Sequence, residues 1–473
     1  MKKILPILAL LAAGTSCTTL DETPKSFVSE EQFFQTQADA VAAVNAIYYC
    51  LNYSGQTPYN VLFSTGMDMM SDDVQPGPGA TNADVRSQAI LSHSSTGLRI
   101  YQIWQQHYTA INRANIAVDR IPSVAFDETL KKRLILEAKF LRGLFYFNLV
   151  RLYGDVPLVL HQTKSLNPED IYVARTSTDE VYKQIVSDLT EAEGLPTSYS
   201  ATDVGRATAG AAKSLLAKVY LTRSDWDNAA KKAEEVINGP YGYDLFANYA
   251  DVFNVATKNG KEHIFSAQFK GNTNSHGNSQ ALREAPTGIT GVNGNYAEQP
   301  GNGVYQLFSG KDKRRDVTFI TSITSPTTGK TTVIDPHFHK YWDNSVPGNL
   351  TESSANVPIL RFSDVLLMHA EALNEKSGPT TDAYKSYNRV RVRAGLDALS
   401  GLSKEQFRDS VYLDRRKELV FEYSRWFDLI RTKRMVSALQ KIGKTNASEK
   451  HYLYPIPQYE IDNNPKMKQN PGW

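Results

Sequence analysis

The sequence has little cysteine and almost no excess of charge. Of its 473 residues only Cys17 and Cys50 are cysteines, and 52 Lys and Arg residues stand against 50 Asp and Glu residues. Two cysteines cannot build a disulfide scaffold. A formal net charge of +2 gives no long-range field for nucleic acid, which argues against a general binder of polyanions. The 41% of hydrophobic residues is typical of a folded protein and argues against disorder.

Long hydrophobic runs are also missing after the N-terminus, so no later stretch is predicted to span a bilayer. Residues 1–16 read MKKILPILALLAAGTS, with two lysines before an apolar segment that is too short for a transmembrane helix and typical of a signal peptide. Small residues lead directly into Cys17, which resembles a bacterial lipobox and predicts lipidation there. The alternative is an ordinary secretory signal in which Cys17 is incidental.

Cleavage before Cys17 changes the charge and the cysteine count. It removes Lys2 and Lys3 and no acidic residue, which leaves 50 basic and 50 acidic residues. Cys50 is then the one remaining thiol, and we expect it in the core. A formally neutral protein is expected to recognise its ligand by contact and not by a long-range field.

Hydrophobic periodicity predicts a mostly helical, all-α fold. A first helix follows the capping-box pair Ser29 and Gln32, and a long one covers 128–153 and stops at Gly154. Residues 207–237 predict a helical hairpin broken at Ser224 and Asp225, with alanines facing large apolar residues as in tetratricopeptide repeats. Further helices are predicted at 361–373, 383–393 and 409–434.

Two segments lack this periodicity. Residues 259–303 are rich in Gly, Asn and Ser and predict a long loop, the kind of segment that carries binding sites on a rigid scaffold. The C-terminal segment contains Pro455, Pro457, Pro465 and Pro471, which prevent a long helix and predict extended coil packed on the scaffold.

Five segments in a fixed order resemble the SusD/RagB family of surface nutrient-binding lipoproteins of Bacteroidota. They read EAKFLRGLFYFNLVRLYGDVPLV (137–159), RFSDVLLMHAEALNE (361–375), YNRVRVRAGL (387–396), RRKELVFEYSRWFDLIRTKR (415–434) and the terminal LYPIPQYEI with NPKMKQNPGW. The resemblance implies a helical fold with tetratricopeptide-like hairpins, a lipid anchor in the outer membrane facing the cell surface, and a SusC-type TonB-dependent transporter as partner. It also implies glycan capture without cleavage.

The predicted organisation is a signal peptide at 1–16 and a single unit at 17–473. Within this unit we distinguish an N-terminal part and helical scaffold at about 17–258, a variable ligand-loop region at about 259–356, and a C-terminal helical and coil part at about 357–473.

A glycan site needs exposed aromatic platforms next to polar groups, because sugars present apolar C–H faces and a rim of hydroxyls. Two places provide such residues. The first is the early Pro- and Gly-rich loop with Asp72 and Arg86, followed by Trp104, and the second is the variable region with Tyr296, Tyr341 and Trp342. The resemblance implies ligand contacts from the same two places. By contrast, Trp226 and Trp426 lie in helical stripes and are predicted to be core residues.

Catalytic and metal motifs are weak or absent. Arg415, Glu418, Glu422 and Arg425 are spaced by three, four and three, which predicts one helical face on which each glutamate pairs with the arginine three residues away. Such pairing lowers a carboxyl pKa and favours a structural network over acid catalysis. His337 and His339 lack further metal ligands nearby. We therefore predict no catalytic residue, no metal ligand and no cofactor. The sequence has no EF-hand loop, and whether a structural calcium ion is bound stays open.

The predicted function is that of a non-enzymatic, surface-anchored lipoprotein that captures an oligosaccharide and delivers it to a SusC-type transporter. One alternative is peptide capture on the same fold. Another is a secreted glycoside hydrolase, which needs two carboxylates across a cleft.

Overall fold

The computed structural model describes residues 33–53, 57–200, 202–273, 276–286, 295, 298–301, 303–325, 328–343 and 352–473. The predicted signal peptide, Cys17, the Ser29 and Gln32 capping pair, and Tyr296 lie outside the described residues.

Long helices dominate the described part of the chain, which confirms the predicted fold class. They are α1 (Gln37–Asn52), α2 (Leu98–Arg120), α3 (Glu128–Tyr153), α4 (Thr178–Ala192), α5 (Ala209–Thr222), α6 (Trp226–Ile237), α7 (Phe362–Ser377), α8 (Thr381–Arg393) and α9 (Lys404–Glu418). Shorter helices cover Phe63–Gly66, Ala83–Ala89, Pro168–Ile171, Gln280–Glu284, Arg315–Thr318, Arg425–Arg431, Met435–Lys441 and Gln458–Asn463. None of the described helices is long and apolar enough to cross a membrane.

Short antiparallel strand pairs lie between these helices. The strands are β1 (Val74–Pro76), β2 (Val156–Pro157), β3 (Arg175–Thr176), β4 (His263–Ala267), β5 (Glu298–Pro300), β6 (Phe319–Thr324), β7 (Thr331–Phe338) and β8 (Val357–Arg361). β1 pairs with β5, β2 with β3, β4 with β8, and β6 with β7.

Local sequence signals set the helix ends. In α1 the capping box is formed by Thr36 and Asp39. The Asp127 side chain accepts a hydrogen bond from the Leu130 amide at the start of α3, and Gly154 ends that helix with a φ of 72°. Only glycine adopts this left-handed conformation at low cost, so the predicted end of the long helix is confirmed.

The helices pack in chain order. α1 packs on α2, α2 on α3, α3 on α4, α4 on α5, α5 on α6, and α6 on α7, which in turn contacts α8 and α9. The predicted hairpin is the pair α5 and α6, broken at Ser224, whose φ is 58°. Stacked hairpins of this kind bury one continuous core, as in tetratricopeptide arrays. Trp426 and Cys50 are buried in it as predicted, whereas Trp226 is only half-buried.

The variable region is more ordered than the loop prediction allows. Within 259–303, β4 is fully buried and pairs with β8, and Gln280–Glu284 forms a short buried helix. The prediction of a continuous loop is therefore wrong there. Its cause is long-range, because β4 is stabilised by a partner almost a hundred residues later in the chain.

The C-terminal segment packs on the scaffold as predicted. The Tyr454 amide donates to the carbonyl of Leu152 at 2.6 Å, and the Asn470 side-chain amide donates to the carbonyl of Tyr153 at 2.9 Å. Only the short helix Gln458–Asn463 interrupts the coil.

The row of charged residues at 415–425 does not lie on one helical face. α9 ends at Glu418, and Phe421 and Tyr423 have positive φ angles. Glu418 pairs with Arg361 at 2.5 Å and also with Arg314 and Arg393, whereas Glu422 pairs with Arg361 at 2.8 Å and with Lys340. The predicted structural network is confirmed in kind, but its predicted Arg415–Glu418 and Glu422–Arg425 pairs are wrong.

Candidate ligand-binding site

Asp72, predicted as a ligand contact, anchors an arginine. It is buried, and Arg425 donates to its two carboxylate oxygens at 2.7 and 2.8 Å. Arg416 approaches the same carboxylate at 3.0 Å. Burial raises the pKa of Asp72, but the hydrogen bonds and charge of Arg425 outweigh it and lower that pKa. The prediction of an exposed hydrogen-bonding carboxylate is therefore wrong.

Trp104 and Tyr341 lie in the core, where they offer no platform to a ligand. Trp104 is 3% exposed and packs against Tyr108 and edge-on against Tyr153, both at 5.0 Å between ring centres. Tyr341 is fully buried and donates to the carbonyl of Phe421 at 3.2 Å. Their predicted exposure is wrong because Trp104 lies on the inner side of its helix, and Tyr341, in the turn after β7, packs into the core.

Arg86 and Trp342 remain accessible. Arg86 is exposed, and its one side-chain hydrogen bond within the described residues is a long one of 3.4 Å to the Gly77 carbonyl. Trp342 is half-buried and lies 4.8 Å from His339 between ring centres. The pairing of β1 with β5 joins the early loop to the variable region, with Gln75 opposite Gln299. The two predicted places thus share one strand pair.

A groove that the sequence prediction did not include lies at the C-terminal end of α1. We call it the α1 groove, and it encloses about 300 Å³. Its polar and aromatic lining residues are Asn45, Tyr48, Tyr49, Asn52, Thr202, Asp203, Arg206, Ser266 and Gln268. Beside it Tyr49 and the exposed Tyr53 form a ring pair with centres 4.6 Å apart, and His276 meets Tyr49 edge-on at 5.8 Å.

The wall of the α1 groove is held by a hydrogen-bonded network. Tyr48 donates to the Glu137 carboxylate at 2.8 Å, and Arg206 donates to the same carboxylate at 2.9 Å. Arg206 also donates to Asn45 at 2.7 Å and to Asp203 at 2.9 Å. Burial, followed by the nearby Glu137 charge, raises the pKa of Tyr48 well above its usual value. In this wall the charges of Glu137 and Arg206 offset each other, and the hydrogen bonds hold the side chains in place.

Gln268 approaches the opposite wall closely because Gly205 has no side chain. Gly205 has a φ of 99°, and an added Cβ would lie 2.8 Å from the side chain of Gln268. The Gln268 amide is itself fixed by Asn259 and Asn356. The hydrogen bonds of that amide are thereby all used within the protein, so Gln268 shapes the wall. Asn45, which is exposed and lines the same groove, carries the amide that a sugar hydroxyl requires.

A second cavity of about 230 Å³ shares Gly205, Arg206 and Ser266 with the α1 groove. Tyr199, Tyr241 and Tyr243 line it, and the last two stack with ring centres 5.7 Å apart. Aromatic faces thus continue past the α1 groove, which gives room for more than one sugar unit.

The sequence contained a signal for this surface. Tyr49 and Tyr53 are four residues apart, so they lie on one helical face, and that face differs from the apolar stripe through Val44 and Leu51. Paired aromatic residues away from the buried stripe indicate an exposed platform.

His337 and His339 are predicted not to be metal ligands, and the structure describes both of them. In the ranges that the structure describes, no group of His, Cys, Asp and Glu side chains comes together in a way that could hold a metal ion.

Two family models match the chain. Residues 20–221 match a family described as starch-binding and associating with the outer membrane, and residues 313–473 match the SusD family.

Individual relatives agree with these matches. SusD-like protein P2 of Formosa agariphila is 31% identical, and the alignment covers 100% of both chains. The starch-binding protein SusD of Bacteroides thetaiotaomicron is 23% identical over 83% of this chain and 82% of its own. A solved structure of a laminarin-binding SusD-like protein is 27% identical, with a TM-score of 0.81 over 93% of this chain and 100% of that one.

Proposed function

The chain belongs to the SusD family, and from this premise we propose that it is a glycan-binding protein of the bacterial outer membrane. It captures an oligosaccharide at the cell surface by equilibrium binding, without cleaving it. One observation supports this most directly: the Tyr49 ring lines the α1 groove together with the exposed amide of Asn45, and Tyr53 pairs with Tyr49 beside the groove. Starch and laminarin, the ligands named for two relatives, are both neutral glucans.

The binding is modest and reversible. Sugar hydroxyls lose their water when they bind, and only part of the saccharide surface is apolar, so a few stacked rings leave a small net gain. Arg86 and Trp342 are proposed as further contacts on the surface joined by β1 and β5. Reversible binding suits a protein that passes its ligand on.

We further propose that Cys17 carries lipid, which anchors the protein at the cell surface, and that the ligand is delivered to a SusC-type TonB-dependent transporter. Replacement of Cys17→Ala should remove the protein from the outer-membrane fraction, because it removes the attachment point of the acyl chains that give stable anchoring. In cells, affinity purification of the wild type should recover a TonB-dependent β-barrel as its main partner. Recovery of no such barrel from crosslinked membranes would contradict the delivery step.

The test of ligand class is titration calorimetry with laminarin, starch and a mixture of peptides of similar mass. Glycan binding with no peptide binding supports the proposal, and the reverse supports peptide capture. The same glycan mixtures, assayed for reducing ends after prolonged incubation, should show none above the blank. Accumulating reducing ends would indicate a hydrolase.

The test of the site is the double variant Tyr49→Ala, Tyr53→Ala. It should weaken glycan binding about tenfold or more, since each lost ring contact is worth about 1 kcal/mol. The matched control is Tyr459→Ala, which removes one ring of another exposed pair, Tyr101 and Tyr459, with centres 5.0 Å apart. Full loss in Tyr459→Ala and none in the double variant would move the site to that pair.

A further inference from the structure

A cavity of about 610 Å³ lies between α9 and the short helices Arg425–Arg431 and Met435–Lys441, away from the α1 groove in sequence and lining. Six cationic side chains line it, namely Arg415, Arg416, Arg425, Arg431, Arg434 and Lys441. Three carboxylates, Asp72, Asp409 and Asp428, line it as well. We call it the arginine cavity. Its volume is within the range of about 300–1,000 Å³ that small-molecule sites occupy.

The deeper guanidinium groups of the arginine cavity are held in place by hydrogen bonds but keep donors that no protein group among the described residues accepts. Arg425 donates Nε and Nη2 to Asp72 at 2.7 and 2.8 Å, and Arg416 donates Nε to Asp73 at 2.7 Å and Nη2 to the Asp72 carbonyl. Within the described residues, no hydrogen bond engages the remaining Nη1 of either side chain. Each is therefore a positioned donor that a ligand can use without paying again for side-chain ordering.

The rim of the arginine cavity carries more accessible cations. Arg434 has a side chain that is 46% exposed and donates only Nη2, to Asp409. Lys441 is exposed, and no partner for it lies within the described ranges. These two side chains give the mouth of the cavity a positive charge.

The local balance of charge is positive although the mature chain is predicted to be neutral. The carboxylates that bind these cations, including the deeper Asp73, Asp364 and Glu371, number six. Two further lysines lie close to these carboxylates. Lys218 pairs with Asp364, and Lys444 donates hydrogen bonds to the backbone carbonyls of residues 69–71, next to Asp72. Together with the six lining cations they make eight positive groups. The excess attracts an anion into a partly desolvated space.

One wall of the arginine cavity is apolar. The Tyr412 ring lies 4.7 Å from the guanidinium of Arg434 and 5.9 Å from that of Arg431. Leu307 and Leu413 lie on the lining as well. A sugar acid has the matching chemistry, because it presents one anionic group together with apolar C–H faces.

We propose that the arginine cavity binds the carboxylate or sulfate group of an acidic saccharide. The inference rests on the proposed glycan-binding function but uses a site separate from the α1 groove. An acidic peptide fits less well, because most of the lining residues lie on helices whose backbone groups are already bonded, and no open strand edge lines the cavity among the described residues.

The test uses trigalacturonate for the carboxylate, a sulfated galactose trisaccharide for the sulfate, and neutral galactotriose. Calorimetry on the full mature chain should detect at least one acidic probe, with binding that weakens as salt rises. The double variant Arg434→Gln, Lys441→Gln should reduce that binding about tenfold or more, since it removes two charged hydrogen-bond donors. Whichever probe binds identifies the anionic group.

The matched control is the double variant Arg223→Gln, Lys330→Gln, which removes an exposed arginine paired with an exposed Asp179 and an exposed lysine. It should leave binding of the acidic probe unchanged. The proposal is overturned if neither acidic probe binds, if an acidic peptide binds the cavity more tightly than both, or if the two double variants lose binding equally. Binding of neutral glucans at the α1 groove is measured separately, so either proposal can fail alone.

Discussion

Charged and polar side chains serve two different purposes in two regions of this molecule. Around Arg361, the carboxylates of Glu262, Glu418 and Glu422 lie within 3.0 Å of the guanidinium, and all four side chains are almost fully buried. At the α1 groove, Asn52, Tyr49 and Gln268 are half-buried. The Arg361 cluster holds strands and helices of the protein together, whereas the α1 groove leaves aromatic rings and amide groups accessible to a ligand.

The difference shows that exposure, and not residue type, separates structure from recognition. Burial raises the pKa of Glu418, but the guanidinium groups of Arg393, Arg361 and Arg314 outweigh it and hold that pKa well below its usual range. A carboxylate held in this way has no proton to give, and its oxygens already accept hydrogen bonds from three arginines. Changes in the first region should therefore affect stability, and changes in the second should affect binding.

The largest effect is expected from Arg361→Ala. It leaves three buried carboxylates short of their shared partner, which should lower the free energy of unfolding by about 4 kcal/mol in urea titration. Arg223→Ala, whose partner Asp179 is 72% exposed, should cost less than about 0.5 kcal/mol. Equal losses of unfolding free energy in both variants would show that buried ion pairs contribute no more to stability than exposed ones do.

A second large effect is expected from Trp104→Ala. Loss of this buried ring should cost about 3–4 kcal/mol of unfolding free energy, because the site cannot fully collapse. Trp342→Ala, at a half-buried position, should cost clearly less and should change glycan binding if Trp342 is a contact. If Trp342→Ala is the more destabilising of the two, the assignment of core and surface is reversed.

The third effect concerns pH and the buried His107. This imidazole lies between Phe63 and Phe145, and burial lowers its pKa from 6.5 to about 4. The stability it contributes is present above pH 6.5 and is lost as pH falls through 4, because the unfolded chain binds the proton first. Between pH 7 and 4 the wild type should lose about 2–3 kcal/mol more than His107→Gln.

The control for this pH effect is His161→Gln, which removes an imidazole whose side chain is 83% exposed. Its unfolding free energy should follow that of the wild type across the same range. A pH dependence of His107→Gln identical to that of the wild type would mean that the buried imidazole is protonated in the fold.

The smallest effect on stability is expected from Tyr53→Ala. Tyr53 is 43% exposed, so the unfolding free energy should change by no more than about 0.5 kcal/mol. Glycan affinity, measured on the same preparation, should nevertheless fall by several fold. A stability loss comparable with that of Trp104→Ala would make the α1 groove part of the core.

Local features of the fold could be predicted from the sequence, and features that depend on distant partners could not. The ends of α3 and the break at Ser224 follow from capping and turn chemistry within a few residues. The partners of Glu418 come from β8, α8 and the segment before β6, so residue spacing along α9 could not identify them. The helical periodicity and the family resemblance both predicted the mostly helical fold class, and the structure confirms it.

The candidate site shows the same division. Residue type selected Trp104 and Tyr341 as aromatic platforms, but burial depends on how each segment packs, and both rings pack into the core. Tyr49 and Tyr53 combine the right chemistry with exposure, and their four-residue spacing indicated a shared face. The surrounding groove also needs Arg206 and Gln268, which only the folded chain brings near α1.

The central claim, glycan recognition at the α1 groove, is tested most directly by hydroxyl-radical footprinting of the mature protein with and without the tightest-binding neutral glucan. The account predicts that Tyr49, Tyr53 and His276 become protected while Tyr459 keeps its reactivity. Protection confined to Tyr101 and Tyr459, or no change at the α1 groove at a saturating glucan concentration, would contradict it.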